Sequence, residues 1–138
     1  MALAKIAWTW PLFALLPVLA VGCGGSSAPA PRPRQDIELQ QIYDMYKHFM
    51  KSHEQKPPRQ LSDIANKQYE GISPTAVQAL KQERYLVVWG VDISTNDSTK
   101  VLAYEKDAPT KGGKVLMADG TVQEMSADQL QAALPKKG

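Results

Sequence analysis

Few side chains in this chain can do chemistry, and their spacing limits what they can do. Cys23 is the single cysteine, so no intrachain disulfide can form. The two histidines, His48 and His53, stand five residues apart. On a helix that spacing puts them on different faces, whereas zinc-binding pairs sit four apart. Neither lies beside a serine motif, and Gly-x-Ser-x-Gly does not occur. Gly112-Gly113-Lys114 lacks the spacing, and the following hydroxyl residue, of a phosphate-binding loop. Asp92, Asp97, Glu105, Asp107 and Asp119 crowd one part of the chain. They offer the oxygen atoms that calcium takes, but not in EF-hand order. They read as solvated loop acids, with Asp119 a turn former. No catalytic set emerges, so an enzyme is the least favoured reading, and no cofactor is implied.

The chain has 138 residues, room for one domain. Lysine and arginine number 16 against 14 acids. One of those bases, Lys5, falls in an apolar leader, so the remainder is almost neutral. A nucleic-acid binder needs a basic face to displace counterions, and none is visible.

The leader occupies residues 1–22. Lys5 supplies a short positive start, and Ile6 to Val21 is apolar apart from Thr9. That is the anatomy of a secretory signal. The run falls short of the roughly 20 residues that span a bilayer. Pro11 and Pro17 would each remove a helix hydrogen bond, which also argues against a permanent span.

The end of the leader, Leu19-Ala20-Val21-Gly22-Cys23, resembles the lipobox of bacterial lipoproteins. Gly22 and Val21 fit the two positions before the cysteine. Ala20 stands where leucine is usual, and Leu19 sits one place early. The resemblance implies a signal peptide over 1–22, cleavage before Cys23, and a diacylglyceryl group with palmitate-type chains on its sulfur. Several acyl chains on one residue anchor stably where one would be marginal. Cys23 would then be no nucleophile or metal ligand. Gly24 replaces the aspartate that retains some lipoproteins at the inner membrane. The implied address is the bacterial cell envelope, at the outer membrane facing the periplasm rather than the inner membrane. The competing reading is a secreted protein cut after Ala28-Pro29-Ala30, where Pro31 would follow the scissile bond.

Residues 23–35 read as a tether. Gly24-Gly25-Ser26-Ser27 is flexible, and the alternating prolines from Pro29 to Pro33 favour an extended polyproline II path. At about 3 Å per residue it reaches on the order of 30 Å.

Residues 36–138 read as a single α+β domain. Leu39, Ile42, Tyr43, Tyr46, Phe49, Met50 and His53 form an apolar stripe of a long helix from Asp36 to near Glu54. Glu38, Asp44, Lys47 and Lys51 take its polar face, and Pro57-Pro58 closes it. A short helix is expected over 61–67. Ser73 and Pro74, as N-cap and first residue, open another to about Glu83. Tyr85 to Asp92 is rich in β-branched and aromatic residues and reads as a strand. Lys100 to Lys106, Lys114 to Ala118 and Thr121 to Met125 are three more. A loop covers 107–113, and Asp119-Gly120 is a tight hairpin turn. Ser126-Ala127-Asp128-Gln129 is a capping box that starts a last helix, Ala127 to Leu134. Short turns imply an antiparallel four-stranded meander with the long helix on one face, a two-layer arrangement with short extra helices.

The box Gly112-Gly113-Lys114-Val115-Leu116-Met117-Ala118-Asp119-Gly120-Thr121-Val122 resembles the glycine-pair, apolar strand and Ala-Asp-Gly-x-Val ending of type IV pilin-like proteins and pseudopilins. Val101 to Glu105 is similar to the strand that often precedes it. The resemblance implies a pilin-type head in which Gly112, Gly113, Asp119 and Gly120 form turns. Some pseudopilins bind calcium near their C-terminal loops, which makes Asp107 and Asp119 the candidate ligands. The leader departs from prepilins, since it lacks their glycine cleavage site and unbroken apolar helix. Together the two resemblances imply a non-enzymatic envelope lipoprotein with a protein partner, linked to a secretion or pilus-like assembly. It would show an exposed apolar or aromatic patch. The alternative is a periplasmic ligand-binding module, its site lined by Trp89, Tyr104 and Tyr85 and its loop stabilised by calcium.

Overall fold

The computed structural model describes residues 33–136. Cys23, the leader and most of the tether lie outside the described residues. Helix α1 spans Arg34–Ser52 and buries Leu39, Ile42, Met45, Tyr46 and Met50, steps of three and four that form one face. It begins two residues before the expected Asp36 and stops short of Glu54. Glu54 and Gln55 both take positive φ, and the Gln55 N–H turns back to the Met50 carbonyl at 2.8 Å. The chain therefore reverses before Pro57 is reached.

Two short helices follow, α2 (Leu61–Ile64) and α3 (Lys67–Ile72). The second is set by Asn66, whose side chain accepts from the Gln68 N–H, a cap missed in the sequence. Helix α4 (Pro74–Lys81) starts at its proline as expected. Ser73, however, is buried and makes no side-chain cap bond.

The sheet is an antiparallel meander in the order β1-β2-β3-β4. Its strands are β1 (Tyr85–Val87), β2 (Val101–Glu105), β3 (Gly113–Met117) and β4 (Val122–Met125). Strand β1 is far shorter than the expected run to Asp92. After Val88 bonds to the Leu102 carbonyl, Gly90 turns at φ +80° and its N–H goes to Pro58 instead. The loop after β2 holds a one-turn helix, α5 (Ala108–Lys111), with Pro109 in its first turn. The last helix, α6 (Ala127–Ala133), carries the full capping box of Ser126 and Gln129.

The main core lies between the sheet and α1 with α4. It joins Leu39, Ile42, Tyr46, Val77, Leu80, Leu102, Leu116 and Ala118. Alternation sends Val101, Val115 and Met117 to the opposite face, where they meet Ala108 of α5 and Leu130 of α6. The expected two-layer arrangement is therefore incomplete, because a second, smaller core covers part of the far face. Burying one such Leu or Ile side chain contributes about 1.5–3 kcal/mol, against about 0–1 kcal/mol for an exposed ion pair. The two cores, not the surface charges, hold the domain together.

Candidate functional site

Where α1 begins, the sequence placed Glu38 on the polar face. The structure buries it at 1% exposure. It accepts hydrogen bonds from Arg84 Nη1 at 2.9 Å and Nη2 at 3.1 Å, a two-pronged pair. The Tyr85 hydroxyl donates to it at 2.8 Å and Arg34 Nε at 3.0 Å. Burial pushes the carboxyl up, but the bonds from Tyr85, Arg84 and Arg34 outweigh it, so Glu38 titrates below the ordinary carboxylate range. Burial, and then the Glu38 carboxylate, push the Tyr85 phenol well above its own. This network ties the first turns of α1 to the start of β1.

Beside it opens a groove of about 540 Å³. Its walls come from the first turn of α1, the α4–β1 junction and the β2–α5 loop, with Arg84 and Tyr85 among them. Its charges are already matched. Lys106 pairs with Glu83 at 2.9 Å and Lys111 with Asp107 at 3.1 Å. The Glu105 carboxylate accepts the Lys114 backbone N–H at 2.8 Å. The hydrogen bond from Lys106 holds Glu83 below the usual carboxylate range. Arg84 Nε, also in the groove wall, is buried without a hydrogen-bond partner among the described residues.

The calcium candidates are not brought together. Asp107 precedes α5 at one end of β3, and Asp119 lies in the turn at the other end. Asp119 Oδ1 accepts from the Thr121 N–H and hydroxyl, which occupies it as a turn former. Among the described residues no three His, Cys, Asp or Glu side chains cluster as a metal site.

Of the four residues expected in turns, Gly113 instead opens strand β3, opposite Met125. Gly112 takes φ +76° and ψ 167°, a region open almost only to glycine, and a Cβ there would lie 2.8 Å from the Met125 carbonyl oxygen. A Cβ on Gly113 would strike the Glu105 carboxylate. The hairpin loop is Ala118-Asp119-Gly120, three residues rather than two, with Gly120 at φ +86° against the Tyr43 ring.

Of the expected aromatic site, Tyr85 and Trp89 come together and Tyr104 does not. Tyr85 is buried in the main core, and Trp89 packs at its edge. Tyr104 lies on the opposite face of the sheet, against the second core. Trp89 and Tyr85 do share a hollow of about 170 Å³ beside β1, walled also by Leu61, Leu86, Val87 and the Glu83 side chain. This strand lies at an edge of the sheet, and Leu61 is among the exposed large apolar residues. Of the histidines, His48 Nδ1 lies 3.2 Å from the Tyr69 hydroxyl, and His53 stacks on Phe49. His53, expected in the buried stripe, is exposed. No helix among the described residues is long and apolar enough to cross a membrane.

Comparison with protein families, with characterised proteins and with solved structures gives no match for this chain.

Proposed function

We propose that the protein is a lipid-anchored bacterial envelope lipoprotein whose folded head is a non-enzymatic protein-interaction module. The observation that carries the head's role is the hollow along the edge strand β1, where Leu61, Leu86, Val87 and Trp89 gather beside Tyr85 and Glu83. Partly exposed aromatic and aliphatic side chains gathered on a sheet edge suit a protein contact, with tryptophan as the anchor. The anchor rests on the Leu19-Ala20-Val21-Gly22-Cys23 box and the Gly-, Ser- and Pro-rich stretch behind it. A role in a secretion or pilus-like assembly rests on the Gly112 to Val122 box alone.

Two variants test the two halves separately. Cys23→Ser should abolish labelling by a fatty-acid analogue and release the protein from the membrane; unchanged labelling rejects the anchor. Leu61→Ser with Trp89→Ser should remove a co-purifying envelope protein while the far-ultraviolet circular dichroism stays the same. Retention of the same partners by the double variant rejects the patch.

A further inference from the structure

The last turn of α1 carries a second hollow whose chemistry differs from that of the groove. It holds about 300 Å³ and lies between Phe49, Ser52 and His53 on one side and Asp63, Asn66 and Gln68 on the other. Phe49 and His53 stack with ring centroids 3.9 Å apart and planes 8° from parallel. His53 is exposed, so its outer face is open to a further stack. Its Nδ1–H donates to the Phe49 carbonyl at 2.9 Å, which leaves Nε2 as an acceptor.

The facing wall is held in place. Asp63 Oδ2 accepts from the backbone N–H groups of Arg59 at 2.8 Å and Gln60 at 3.3 Å, while its Oδ1 receives only the long bond from the Gln60 amide. The Ser52 hydroxyl donates to the His48 carbonyl, leaving its lone pairs free. The Gln68 side-chain amide has no hydrogen-bond partner among the described residues.

The hollow thus presents one flat aromatic face, three acceptors and an amide that both donates and accepts. No lysine or arginine lines it, and Asp63 repels anions. A ligand that fits is not an anion, has a flat C–H face for the ring stack, and carries several hydroxyl donors. That is the surface of a pyranose sugar. We propose that this hollow binds an uncharged pyranose, its C–H face on the His53–Phe49 stack and its hydroxyls on Asp63, Ser52 and Gln68. The site stands whether or not Cys23 is acylated, and it is separate from the apolar patch at β1.

The test is a titration of the full chain, held in a detergent without a sugar headgroup, with chitotriose, cellotriose and maltotriose in turn. Backbone amide chemical shifts are the readout. At least one trisaccharide should give saturable shifts concentrated at residues 49–53 and 63–69. His53→Ala, which removes an exposed ring, should weaken that binding about three- to tenfold. Gln68→Ala, also exposed, should weaken it while leaving the remaining amide spectrum in place. Absence of saturable shifts with all three sugars, shifts centred elsewhere, or affinities unchanged in both variants would overturn the site.

Discussion

A carboxylate is stable out of water only when donors surround it, and Glu38 has four aimed at it from Arg34, Arg84 and Tyr85. Glu38→Gln keeps the shape and removes the charge. Arg84 is 38% exposed and Arg34 74%, so water takes up much of the lost bonding. The loss expected in urea unfolding is therefore about 2 kcal/mol, below that for a fully buried pair. A wild-type midpoint would contradict the assignment. The pH dependence has a definite sign. Glu38 titrates lower in the folded chain than in the unfolded one, so its contribution is complete above the ordinary carboxylate value. It fades as pH falls through the depressed folded value. Glu38→Gln should flatten that acid limb of the stability profile. The helical phase already held a sign of this burial, because Glu38, Ile42, Met45 and Phe49 follow steps of four, three and four. Its charge alone put it on the polar face, since the compensating Arg84 lies 46 residues further on.

At the scale of elements, what was legible was local. The capping box of α6, the proline start of α4 and the strand pairing through Gly120 depend on residues a few positions apart, and all three elements form. What failed depended on distant neighbours. Strand β1 stops at Val87 because Gly90 bonds to Pro58, far away in sequence. Nothing in Tyr85-Leu86-Val87-Val88-Trp89 announces that. The far-face core depends on a one-turn helix at Ala108–Lys111 and on α6 packing under the sheet through Leu130, and neither is announced by the residues nearby. Of the candidate site, Gly112 and Gly120 were legible as turn residues, whereas Gly113 opens β3, and the neighbours of all three were not legible. Those neighbours rank two substitutions. Gly112→Ala meets a backbone carbonyl, which cannot swing aside, while Gly120→Ala meets the Tyr43 ring, which can. Both force an unfavourable φ, worth about 1–3 kcal/mol. Thermal unfolding should therefore show Gly112→Ala as the more damaging, and the reverse order would contradict the packing described for the β3–β4 hairpin.

For the whole molecule, the described domain begins its first helix at Arg34, directly behind a proline-rich stretch and eleven residues after Cys23. If Cys23 carries lipid, the Glu38 network lies at the end of the head that receives the tether. The patch at β1 adjoins that network through Tyr85, and the proposed sugar hollow lies at the other end of α1. The head is then a small scaffold whose stability comes from two cores and whose contacts come from its exposed faces. The anchor decides where all of this takes place, so the most direct measurement is mass spectrometry of the amino-terminal peptide from protein purified out of its native membrane. The account predicts a peptide that begins at Cys23 and carries a diacylglyceryl group on its sulfur. An unmodified Cys23, or an amino terminus at Pro31, would contradict it.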